Sequence, residues 1–200
     1  MSYNRVVTLT GVQDVDALLA YIQETAVPGL RSQKGYQGFS VSADRANGVV
    51  GTLSMWETEA DRDASDSALL KLREDAAAKF ATGIQVDSFQ DQTMEMSKPP
   101  TAGARLMVTR ITMDLGKLEE NTAFFQQEVL PRIKAAPGFR ALRNMIDPQT
   151  SEGLSGAIWD DEQTMRAAAE AAMARRPEAQ SRGVTFGETS YREILFVDMP

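Results

Sequence analysis

The chain has 200 residues, with 21 Lys and Arg against 28 Asp and Glu, a net charge of −7, and neither His nor Cys. These absences exclude a Ser-His-Asp triad, a Cys nucleophile, a His-ligated haem and any His- or Cys-based zinc or iron site, so proton transfer must fall to carboxylates, Lys, Tyr, Arg-polarised water or the substrate itself. The acidic balance and the lack of a basic stripe speak against a nucleic-acid partner, while 42% apolar and 24% charged residues describe a globular chain with a buried core.

No apolar run reaches the roughly 20 residues of a membrane span, and Met1 to Arg5 leads into a strand-like segment without a signal-peptide profile. A cytoplasmic protein that does not bind membranes is expected. Arg5 to Thr10 reads as a strand, and Val15, Leu18, Leu19, Ile22 and Ala26 fall at helical spacing until Pro28-Gly29 ends or bends the helix. From Gly35 a second strand alternates Phe39, Val41 and Ala43 with Ser40 and Ser42, and Asn47-Gly48 signals a hairpin to a partner strand, Val49 to Trp56. Thr58-Glu59-Ala60-Asp61 resembles a capping box for a long helix carrying Leu69, Leu72, Ala76 and Phe80. Ser88 to Met96 closes the series as a strand. Asp61, Asp63 and Asp66 suit the helix dipole and a solvent-facing first turn.

The series then begins again. Pro28 and Gly35-Tyr36 recur as Pro131 and Gly138-Phe139, an offset of 103 that also places Asp44 on Asp147, Trp56 on Trp159 and Glu59 on Glu162. Arg105 to Thr112 is the new first strand, and Leu118, Phe125, Val129 and Ile133 line the helix. Phe139 to Ile146 and Gly153 to Trp159 pair across Asp147-Pro148, and Asp161 caps a helix through Met165, Ala169, Ala172 and Met173 that Pro177 stops. Tyr191 to Val197 is the last strand. The chain is thus expected to be α+β, two tandem ferredoxin-like β-α-β-β-α-β repeats of antiparallel strands, residues 1–98 and 104–200, joined by a linker at 99–103.

The residues Gly35-Tyr36-Gln37-Gly38-Phe39 with Met55-Trp56-Glu57-Thr58-Glu59-Ala60-Asp61, and Pro137-Gly138-Phe139 with Ile158-Trp159-Asp160-Asp161-Glu162, resemble the antibiotic biosynthesis monooxygenase family of the dimeric α+β barrel superfamily. The resemblance covers nearly the whole chain, taken twice, and implies that the two repeats pair their sheets into one intramolecular α+β barrel. The protein would then be an internal pseudo-dimer, as a monomer or a homodimer. It implies a cofactor-independent monooxygenase acting on a small aromatic or polyketide-like substrate, without metal, flavin or haem. The alternative is a non-catalytic small-molecule-binding or stress-associated protein on the same fold. The haem-degrading branch needs an iron-ligating His that this chain lacks.

Candidate site residues are those whose polar character departs from the other half. Arg110, aligned with Thr10, would be an anion stabiliser on a central strand, or an ordinary partner of Glu188, Glu193 or Asp147. Arg143 and Asn144 replace Ser40 and Val41, and alternation lets at most one of them face a given cavity. Asn144, Trp159, Tyr36 and Trp56 are the candidate substrate-binding residues, although each Trp equally suits closing the end of the core at a strand-to-helix corner. Arg is uneven, five before residue 99 and ten after residue 104, with 14 acidic residues in each half. This asymmetry fits a division of labour in which one repeat holds the ligand and the other serves as structural cover, and it fits neutral drift after duplication nearly as well.

Overall fold

Segments of period two form strands and segments of helical period form helices, in the order β1 (Tyr3–Thr10), α1 (Val15–Tyr21), α2 (Val27–Arg31), β2 (Tyr36–Asp44), β3 (Val49–Trp56), α3 (Glu59–Phe80) and β4 (Gly83–Met96). Then come β5 (Arg105–Met113), α4 (Leu118–Phe124), α5 (Leu130–Lys134), β6 (Phe139–Ile146), β7 (Glu152–Trp159), α6 (Glu162–Ser181) and β8 (Val184–Asp198). The computed structural model describes residues 2–199. A π-helical turn, Ile22–Ala26, joins α1 to α2, and a second, Phe125–Val129, joins α4 to α5, so each pair is one bent helix. With α3 and α6 there are, among the described residues, four α-helices and eight strands, an α+β ferredoxin-like fold.

The chain divides into two units. Unit 1 runs to Phe89 and resumes at Ile194, and unit 2 is Gln90–Glu193. These boundaries differ from a division at residues 98 and 104, because they fall inside β4 and β8, each of which contributes to both units. Gln90–Met96 pairs antiparallel with β6 of unit 2. Leu195 and Phe196 pack on the core of unit 1.

In unit 1, β3 lies between β1 and β2, with Tyr3 and Tyr36 both opposite Trp56. The core holds Leu18, Val41 and Trp56, none of them exposed. In unit 2, β7 lies between β5 and β6, with Arg105 and Phe139 both opposite Trp159. Its core gathers Leu130, Phe139, Leu142, Trp159 and Met165.

Asp161 caps α6 in a full capping box with Thr164, and Thr58 Oγ1 accepts from Asp61 N–H at the start of α3. Pro177 does not stop α6, which continues to Ser181. A proline removes the hydrogen bond to the residue four before it, here Met173, which is exposed at 59%, so the loss falls where water reaches the chain. The acidic first turn of α3 is not simply solvent-facing: Asp61 is buried beneath Lys34, and Asp66 pairs with Arg5 and Arg73. Gly35 and Gly138 take φ of +73° and +76°, and a Cβ there would collide with Asp61 and Thr164 respectively, so the strand entry packs tightly on the helix cap in both units. Among the described residues no helix is long and apolar enough to cross a membrane.

Candidate functional site

The two Trp residues occupy equivalent strand ends and differ in what their indole nitrogens meet. Trp56 Nε1 donates to Ser54 Oγ at 3.1 Å, and the Tyr36 ring meets the indole edge-on at 5.9 Å. Tyr36 Oη donates in turn to Asp198 Oδ2 at 2.7 Å, and Arg31 Nε donates to the same oxygen at 2.9 Å. Burial and the hydrogen bond to Asp198 push the Tyr36 phenol well above its ordinary value, and the Arg31 guanidinium holds the Asp198 carboxyl below its own. Tyr36 and Trp56 are thus engaged within the fold, and neither is among the residues lining a recess of about 80 Å³ in unit 1. That recess gives no support to the expectation that they bind substrate.

Unit 2 holds a cavity of about 230 Å³ between its sheet and helices, lined by both Asn144 and Trp159. Trp159 is 2% exposed and stacks edge-on against Phe139 at 5.5 Å, yet its Nε1 has no hydrogen-bond partner. The Oδ1 of Asn144 is likewise buried and unpartnered. A native interior satisfies such groups almost always, so it is notable that two residues lining one cavity each carry a buried polar atom without a protein partner.

Position by position, the matching registers of β1–β3 and β5–β7 explain why unit 2 has room. Ser54 of unit 1 corresponds to Ala157, which removes the acceptor for the indole. Val41, fully buried, corresponds to Asn144. On the long helix, Leu69 and Asp66 correspond to Ala172 and Ala169, and the buried Arg5 of β1 corresponds to Met107. Large or ion-paired groups that fill unit 1 are therefore small or flexible in unit 2. The π-helical turn adds Phe125 and Val129 to the wall, and Gln126 Nε2 donates to Thr93 Oγ1 at 3.2 Å to tie that turn to β4.

Arg110 is not in the cavity. Thr109 and Ile111 line it, so alternation along β5 turns Arg110 to the other side of the strand, where its Cβ approaches Gly187. The register also shows that its counterpart is Thr8, not Thr10, since Thr8 lies opposite Gly51 as Arg110 lies opposite Leu154. This cavity therefore gives no support to its expected role as anion stabiliser. Arg143 likewise points away from the cavity, to Asp91 at 3.4 Å, and burial lowers its pKa. The cations that do line the cavity are Arg132, Arg175, Arg176 and Arg182, which sequence reasoning did not single out. Their signal was the Arg excess of the second half, read against the helical phase of α6. Glu178 is the carboxylate among the lining residues. Among the described residues no group of three carboxylates is placed to hold a metal ion.

No family model matches the chain. It is 23% identical over 146 residues, 73% of its length, to the uncharacterized protein Rv2557 of Mycobacterium tuberculosis, and that alignment spans 65% of the relative's own length. The structure superposes on an anthrone oxidase-like protein with a TM-score of 0.68 and 15% identity, covering 98% of this chain and 92% of that one. It also superposes on a ferredoxin-fold protein of Listeria monocytogenes 4b F2365 related to antibiotic biosynthesis monooxygenases, with a TM-score of 0.53 and 10% identity over 100% and 96% of the two chains. The chain therefore has the monooxygenase-like, ferredoxin-like α+β fold found in proteins related to the antibiotic biosynthesis monooxygenases.

Proposed function

We propose that the cavity of unit 2 binds a small aromatic or polyketide-like molecule and that the protein is a cofactor-independent monooxygenase-like enzyme acting on it. The observation that carries this reading is the joint presence, in one largely apolar cavity of about 230 Å³, of an unpartnered donor, Trp159 Nε1, and an unpartnered acceptor, Asn144 Oδ1. An indole N–H only donates and an amide oxygen only accepts. The fitting ligand therefore presents an acceptor oxygen and a hydroxyl on a flat apolar body, as a hydroxylated anthrone or a quinol does. The likeness of the fold to that of an anthrone oxidase-like protein supports the same choice.

In the reaction proposed, a ring CH₂ of an anthrone ionises to a stabilised carbanion whose electrons pass to dioxygen. One oxygen atom replaces the two hydrogens as a carbonyl, and the other leaves as water. The protein orients the ring, excludes bulk water and lets the conjugate oxyanion accept from Trp159 Nε1, which raises the acidity of the bound substrate. The two units read as diverged copies of one β-α-β-β-α-β unit, in which unit 2 holds the ligand and unit 1 has filled its recess. One observation favours the non-catalytic binding reading: Glu178 alone among the lining residues carries a carboxylate that would remove a proton.

Aerobic oxygen uptake over a panel of anthrones and quinols separates the two. Uptake that falls at least about tenfold in Trp159→Phe, with the fold intact, supports the enzyme. Saturable binding of these compounds with no uptake above the uncatalysed rate would overturn it in favour of a binding protein.

A further inference from the structure

We infer that the ligand of the unit 2 cavity carries a permanent anionic group, a carboxylate or sulfonate, which sits between Arg132 and Arg175 where the cavity meets solvent. The inference rests on that cavity being a ligand site, and it adds a charge requirement to the aromatic body argued above. In unit 1 the equivalent pair is Gly29 and Leu72, an apolar contact so close that a Cβ on Gly29 would lie 3.3 Å from Leu72 Cδ1. Unit 2 puts a guanidinium at each of these two positions, and both line the cavity. Neighbouring like charges repel unless something neutralises them.

The protein supplies little that does. Arg132 has Glu128 at 3.7 Å, an exposed pair within one helix, while among the described residues no carboxylate lies within 4.0 Å of Arg175 or Arg176. Burial and the charge of Arg132 both lower the pKa of Arg175, as expected of a cation held beside another without a counter-ion. The comparison with unit 1 extends inward. There Arg73, the equivalent of Arg176, is bound by Asp66 at 2.5 Å, but unit 2 has Ala169 in place of that carboxylate, and Arg176 instead donates to Thr189 Oγ1 at 2.9 Å. Around its cavity unit 2 has thus gained Arg132 and Arg175, lost one cation where Arg5 becomes Met107, and lost one anion where Asp66 becomes Ala169, a net shift toward positive charge in a chain whose net charge is −7. Planar guanidinium forks match the two oxygens of a carboxylate or sulfonate. The deeper Trp159 and Asn144 would then address the ring substituents while the Arg pair holds the acid.

The test uses two fluorescent probes that share an aromatic body, anilinonaphthalene sulfonate, which is anionic, and N-phenylnaphthylamine, which is neutral. Titrations are run on the full chain, on Ala172→Leu, which restores the leucine that fills unit 1, and on Arg132→Gln with Arg175→Gln. The expected result is that Ala172→Leu abolishes saturable binding of both probes. The double Gln variant should weaken the sulfonate on the order of tenfold and leave the neutral probe within about twofold, and added salt should weaken the sulfonate alone. If Ala172→Leu removes both probes but the Gln variant shifts both equally or neither, the anionic requirement is overturned and the cavity stands as a ligand site. If Ala172→Leu changes neither probe, the cavity reading itself falls, and the inference falls with it.

Discussion

Trp56 Nε1 donates to Ser54 Oγ at 3.1 Å, two residues back on the same strand, and the position two residues before Trp159 is Ala157. One hydroxyl thus separates a satisfied core indole from a buried one left without a partner. Ala157→Ser is expected to close that difference: the new hydroxyl accepts from Trp159 Nε1 and stabilises the unliganded protein by about 1 kcal/mol. The same change withdraws the donor from any ligand, so affinity for hydroxyanthrones should fall as the melting temperature rises. Calorimetric melting with ligand titration checks both, and a variant that gains stability without losing affinity would show that the indole does not bind the ligand.

The Leu69 and Ala172 positions predict opposite responses to opposite substitutions. Leu69 is 8% exposed and belongs to the core of unit 1, so Leu69→Ala should cost about 2 to 4 kcal/mol through lost burial and the void left behind. Ala172 lines a space that already exists, so Ala172→Leu should stabilise by about 1 kcal/mol by burying apolar surface there. Urea unfolding of the two variants measures this. Destabilisation by Ala172→Leu comparable to that of Leu69→Ala would mean that the unit 2 cavity is not open in solution.

Much of the fold was legible because the features that set it are local. The Asp161 cap, the Asn47-Gly48 turn and the alternation of β2 each depend on neighbours in sequence. The alternation rule also separated Arg143 from Asn144 correctly, since only Asn144 lines the cavity. Arg110 matches Thr10 only if the first strands are offset by 100, whereas their registers against β3 and β7 give an offset of 102 and make Thr8 its counterpart. The lengths of β4 and β8 escaped although Ile84 and Val86, and Val184 and Phe186, alternate with polar or small residues as a strand requires. The arginines of the site were visible only as an excess, because their convergence comes from α5 and α6 packing around one space.

The Arg31–Asp198–Tyr36 cluster makes stability depend on pH at both ends of the scale. Asp198 has a depressed pKa in the folded protein, chiefly from Arg31, so its stabilisation is present above the ordinary carboxylate value near ~4 and is lost as pH falls through the folded value. Tyr36 has a raised pKa, so its share is present below the ordinary phenol value near ~10 and declines as pH rises beyond it, where the unfolded chain ionises and the folded one does not. Asp198→Asn should lower the urea midpoint at neutral pH and make the loss below pH ~4 shallower than in the parent, which keeps its other paired carboxylates. Tyr36→Phe should flatten the alkaline limb while leaving the acid limb in place. Parallel midpoint curves for parent and Asp198→Asn across the acid range would contradict this assignment.

Asn144 offers the sharpest separation of fold from function, because unit 1 shows what the position becomes without a ligand to serve. Its counterpart Val41 is fully buried in the core, whereas Asn144 keeps a buried carbonyl oxygen with no partner. A buried acceptor left unsatisfied costs its desolvation, and replacing it by an apolar side chain of similar shape removes that cost. Asn144→Val is therefore expected to stabilise the unliganded protein by about 1 to 2 kcal/mol. It should also weaken ligands that present a hydroxyl, while the same ring system without the hydroxyl binds as before. The comparison of two ligands on one variant isolates the hydrogen bond from any change in cavity shape, since a shape change moves both affinities together. Equal loss for the two ligands, or a drop in stability, would mean that Asn144 serves the packing of β6 and not the ligand.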